Sequence, residues 1–167
     1  EIGGRQDNSI LETFRGNKPE IVVSLFALIF VIYHAWYAIE LPFPRAKHGI
    51  VHLGLALIIW GALQISKLDK PFTANRIKSV GYVLYIGLAF VSSSYIFLNY
   101  RQLLLDAGRF SDIAIYIGAL VILLVMFALW SASRLIFFVT MFGFVYALLS
   151  PYLPGFFSNQ GLSLERT

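Results

Sequence analysis

Charge is the scarcest commodity in this sequence. Asp, Glu, Lys and Arg together make up 13% of its 167 residues, where a soluble domain carries roughly 25%. Cysteine is absent, which excludes a disulfide framework and thiolate metal sites. No carboxylate falls inside any of the long apolar runs, so paired acids for intramembrane proton or ion chemistry are missing. No glycine-rich phosphate loop follows a strand, and no Ser/His/Asp pattern stands out. The three histidines, His34, His48 and His52, lack zinc-type spacing. No run is interrupted in its middle by the paired Gly/Pro breaks that build transporter substrate sites. These absences point away from an enzyme, a metal protein or a complete transporter, and they imply no cofactor.

What fills the chain is apolar side chain. Hydrophobic residues reach 58% and the mean hydropathy is +0.73. A water-soluble fold of this size cannot hide so much apolar surface, whereas a bilayer makes an apolar exterior favourable. A helix needs roughly 20 apolar residues to cross about 30 Å of hydrocarbon. The uncharged runs 21–39, 49–65, 79–98, 113–130 and 135–149 predict an all-α polytopic membrane protein with four to five transmembrane helices. Residues 1–18 form a polar N-terminal segment, residues 19–150 the helical bundle and residues 151–167 a tail or linker. The chain starts at Glu1 without methionine, compatible with processing or with a segment of something longer. Asn99 to Asp112, with Leu103, Leu104 and Leu105 before Asp106 and Arg109, predicts a short amphipathic helix along the interface. An ordinary loop with a leucine patch is the alternative.

The run from Ile113 to Ser150 is too long for one crossing, at about 55 Å as a single helix. Arg134 divides it. A cation is costly at mid-membrane but tolerated at a helix end, where it snorkels to the headgroups. Trp130 beside it suits the same interface. The pair is therefore an interface anchor, with Ser131–Arg134 as the turn between two spans. That turn lacks glycine and proline, so a kinked continuous helix stays open. Lysine and arginine set orientation. With the N-terminus cytoplasmic, eight of the thirteen basic residues lie inside, four of them between Lys67 and Lys78. Their placement in short loops reads as topology control and not as nucleic-acid binding.

His34 and His52 fall in different spans and His48 in the connecting loop. His52, close to the interface, reads first as a hydrogen-bonding contact to a neighbouring helix. A proton relay is the sharper reading, but it lacks a carboxylate partner. Gly54 and Gly61, seven apart, lie on roughly one helix face and suit close helix packing.

Several motifs occur together in order: His52-Leu53-Gly54, Tyr95 to Tyr100, Pro151 to Gly155 and Gly161 to Arg166. Over roughly Ile21 to Arg166 the chain resembles the N-terminal small-subunit region of the fused permeases of TRAP transporters, in the TAXI branch. The resemblance implies a small scaffold in a prokaryotic cytoplasmic (inner) membrane. It would brace a large permease subunit or domain that carries the substrate and coupling-ion sites. An extracytoplasmic substrate-binding protein would deliver the solute. On this reading His52, Gly54, Ala56, Gly61 and Gly118 pack against the large subunit. Arg45, Lys47, Arg101 and Arg109 dock the binding protein, or are plain solvated loop charges. Related fused sequences carry an acid and a second base near Arg134. This chain has only the arginine, so the resemblance implies no salt bridge there. The alternative of another class is a small redox or heme-binding membrane subunit using His34 and His52.

Overall fold

The computed structural model describes residues 18–68, 73–106 and 109–154. The polar N-terminal segment, Asp69 and Lys70 of the basic loop, and the tail motif at Gly161–Arg166 lie outside them. Among the described residues six helices follow one another: α1 (Lys18–Glu40), α2 (Arg45–Ser66), α3 (Arg76–Leu98), α4 (Tyr100–Leu105), α5 (Asp112–Ala132) and α6 (Arg134–Leu149). A 3₁₀ turn, Ser150–Tyr152, closes the described chain. The fold is all-α. Four helices, α1, α2, α3 and α5, are long and apolar enough to cross a membrane.

The helix ends shift several predicted boundaries. α2 begins at Arg45 directly after Pro44 and not at Gly49. His48 therefore sits in the first turn of a helix and not in a loop, and the connection from α1 shrinks to Leu41–Pro44. α3 likewise begins at Arg76, three residues before Ser79. In both places charged residues occupy the first helical turn, because charge marks the edge of the apolar stretch and not the edge of the hydrogen-bonded helix. The predicted amphipathic stretch 99–112 contracts to α4, six residues long. Asp112 belongs to the next helix, whose start is capped by the Ser111 hydroxyl accepting from the Ala114 amide at 3.3 Å.

The division of the 113–150 run falls at one residue. Ser133 is extended (φ −158°, ψ 113°) and serves as the last cap of α5 and the first cap of α6. Its hydroxyl accepts from the Ile136 amide at 3.4 Å. Serine suits this position because its side chain replaces an acceptor that the first helical turn lacks.

The chain divides into two compact units after Ser93. In the first, α1 packs along α2, and α3 meets α2 at two glycines. A Cβ on Gly54 would fall 2.5 Å from Ser93 Oγ, and one on Gly61 would fall 2.7 Å from Ile86 Cγ1. Trp60 and Tyr85 pack between the same helices, with ring centroids 4.9 Å apart. Ala89 and Ser92 are fully buried on α3. The Ser92 hydroxyl donates to the Leu88 carbonyl at 2.7 Å, so this polar group is satisfied within its own helix. In the second unit α5 and α6 pack on each other. Outward faces are apolar throughout: Val31 and Ile32 on α1, Leu123 on α5 and Phe142 on α6 are more than half exposed.

Candidate functional site: a histidine–aromatic cluster between α1 and α2

Phe30, Tyr33, His34 and Tyr37 follow the spacing that places side chains on one helix face. His48 and His52, one turn apart on α2, do the same. The four-residue connection turns α2 back along α1 and brings these two stripes together. Its first residue, Leu41, adopts a positive φ of 44°. That left-handed position after a helix is usually filled by glycine.

His34 and His52 are hydrogen-bonded directly, Nε2 of the former to Nδ1 of the latter, at 2.7 Å. The hydrogen-bond partner of His52 on the neighbouring helix is thus another imidazole. The direction of the bond follows from a second contact. His34 Nδ1 lies 2.7 Å from the Phe30 carbonyl oxygen. A carbonyl only accepts, so His34 Nδ1 carries a hydrogen and, in the neutral ring, Nε2 does not. His52 Nδ1–H is then the donor to His34 Nε2, and His52 Nε2 is left as a bare basic nitrogen. Because His52 is exposed, that edge of the pair is reachable from outside the bundle.

His48 completes the cluster. Its ring stacks on Tyr37 at 3.8 Å and 10°, and its Nδ1 shares a hydrogen bond with the Tyr33 hydroxyl at 3.0 Å. The His34 and His48 centroids are 5.0 Å apart. Tyr37 is buried and donates its hydroxyl to the Phe43 carbonyl at 3.0 Å, which ties the cluster to the connection. His34 precedes the end of α1 by six residues, so the pair lies about 9 Å inside the helix end at 1.5 Å per residue.

Sequence reasoning paired His34 with His52 only as candidate heme ligands and left out His48, which it treated as a loop residue. The available signal was the matched spacing of Tyr33/Tyr37 and His48/His52 on either side of a short, proline-marked connection. Among the described residues no group of three or more His, Cys, Asp or Glu is arranged to hold a metal ion.

The other predicted residues fall as follows. Gly54 and Gly61 meet α3 of the same chain, so they are not free to receive a large subunit. Ala56 is half-buried, and Gly118 is the glycine of that set with open space beyond it. Arg45, Arg101 and Arg109 are exposed and Lys47 is half-buried. Arg45 and Lys47 share the first turn of α2, whereas Arg101 and Arg109 belong to the second unit. Trp130 and Arg134 do come together: the guanidinium lies 5.6 Å from the indole centroid, and Phe137 meets the same indole edge-on at 5.0 Å.

These features define an all-α protein of the multi-pass membrane class, with a polar hydrogen-bonded cluster between its first two helices. Comparison with protein-family models, curated proteins and solved structures finds no match.

Proposed function

We propose that this chain is the small scaffold part of a TAXI-type TRAP transporter, set in a prokaryotic cytoplasmic membrane with its N-terminus inside. In this role it braces a large transport subunit or domain during ion-coupled solute uptake. It crosses four or five times, with α6 as the shorter fifth span and α4 along the interface. The observation that carries this reading is the contrast between a locked interior and bare outer faces. α2 and α3 approach closely at Gly54 and Gly61, where a Cβ would fall 2.5 and 2.7 Å from a side chain of the other helix, and such close packing supports a brace. The outer faces of α1, α5 and α6 are apolar and uncovered. Gly118 offers space for a neighbouring helix on α5, and small residues at such spots let helices approach in lipid. The ordered motifs support the family, and the lack of acids inside the spans is in keeping with substrate and coupling-ion sites on a partner.

Arg45, Lys47, Arg101 and Arg109 all fall on the extracytoplasmic side in this orientation, where a binding protein docks. Copurification in detergent tests the scaffold role. The chain is expected to bring down a larger permease polypeptide, and its deletion is expected to abolish uptake. Absence of any such association, with uptake surviving deletion, removes the reading. Charge reversal of Arg45 and Lys47 is expected to weaken a salt-sensitive encounter with the binding protein. Unchanged uptake at low binding-protein concentration removes the docking role.

A further inference from the structure

The geometry points to the His34–His52 pair as a proton-binding site that holds one proton with its helices together and cannot hold two without parting them. This stands apart from the transporter reading, because it rests only on the α1–α2 contact. In the neutral pair every imidazole hydrogen has an acceptor: His34 Nδ1–H donates to the Phe30 carbonyl and His52 Nδ1–H donates to His34 Nε2. The one vacant basic nitrogen is His52 Nε2, on the exposed member of the pair.

A proton arriving at this exposed edge forms an N–H bond at His52 Nε2 and leaves the inter-ring hydrogen bond intact. The proton on His52 Nδ1 can then cross to His34 Nε2. The N–H bond at His52 breaks, one forms at His34, and the positive charge moves from α2 to α1. His34 as imidazolium still donates from both nitrogens, to Phe30 and back to His52. One proton is thus shared between the helices without loss of a hydrogen bond. A second proton gives both rings hydrogens at the touching nitrogens. Two donors and two positive charges then face each other across 2.7 Å, and the rings separate.

Among the described residues no carboxylate is hydrogen-bonded to either imidazole of the pair. On α1 the ionisable neighbours are Tyr33, Tyr37 and, at the helix end, Glu40; on α2 they are His48, Arg45 and Lys47. α3 meets α2 beside the pair through Ser93, which is uncharged. The ionisable side chains of α3 are Arg76, Lys78, Tyr82, Tyr85 and Tyr95. Of these groups, Tyr33 and His48 have ring contacts with His34, at 5.1 and 5.0 Å between centroids, and His48 with His52 at 6.3 Å.

The test is a pH titration of ¹⁵N-histidine-labelled full chain in nanodiscs, followed by NMR. The wild type is expected to show His34 as the Nδ1–H tautomer at high pH. The pair is expected to titrate in two steps more than about 1 pH unit apart, and His34 in H52Q in a single step. One common step in the wild type, or a His34 curve that H52Q leaves unchanged, overturns the proposal. A second readout needs no histidine variant. Because the chain has no cysteine, spin labels on A38C and A46C report the α1–α2 end cleanly. Their separation is expected to increase through the second step, and a distance constant across both steps overturns the parting of the helices.

Discussion

The two units differ in whether any glycine meets a neighbour. In the first, Gly54 is filled by Ser93 and Gly61 by Ile86 and Tyr85, while Gly49, Gly81 and Gly87 face open space. In the second, Gly118 and Gly143 face open space. The first also joins its helices by side-chain hydrogen bonds between rings. The second joins α5 to α6 through one extended serine and a set of edge-on aromatic contacts around Trp130. Lipid tails are as apolar as leucine, so apolar surface alone does not specify which helices associate. Close backbone approach and polar contacts do. The α2–α3 contact is thereby specified from within, whereas Gly118 and Gly143 of the second unit stay available to a neighbour.

Substitutions break this contrast in graded fashion. The largest effect is expected from G54L. Its side chain has no room beside Ser93, and overpacking costs about 1–3 kcal/mol. Thermal unfolding in detergent should fall by several degrees, whereas G118L should leave the isolated chain's unfolding unchanged and impair only association with a larger partner. An equal drop in both variants would erase the distinction between filled and free glycines. Next comes H34F, which leaves His52 Nδ1–H without its acceptor. A loss of about 1 kcal/mol is expected, in the range of interhelical hydrogen bonds in lipid. The matching change in the second unit, S133A, removes the cap of α6 and should cost about 0.5–1 kcal/mol, at the lower end of such caps because the bond is long. Amide hydrogen exchange at Ile136 and its neighbours would register the fraying locally. The smallest effect is a gain. L41G relieves the left-handed strain of about 1–2 kcal/mol but adds unfolded-state entropy of about 0.5–1 kcal/mol. A slight rise in unfolding temperature is expected.

Helix number and approximate position were legible because apolar run length is a property of the chain alone. The starts were less so. Arg45, Lys47, Arg76 and Lys78 are helical residues that read as loop, since the membrane boundary and the helix boundary are different things. Ser133 was bracketed by sequence within a four-residue turn, and the preference of serine for caps would have singled out the two serines there. Gly54 and Gly61 were recognisable as packing residues, but sequence cannot say which helix arrives. The histidine cluster was hidden for the same reason. His34, His48 and His52 only become a group once two helices are paired and rotated, and both operations depend on contacts between segments.

The sixteen residues of α6 carry a consequence for the lipid itself. At 1.5 Å per residue they reach about 24 Å, shorter than an average hydrocarbon layer by about 6 Å. As a crossing segment α6 would have to be met by the bilayer, whose leaflets would pinch inward around it at a fraction of a kcal/mol per ångström. Vesicles made from short-chain lipids should then favour its insertion over those made from long-chain lipids, and a dimple of this kind would draw other short segments to its side.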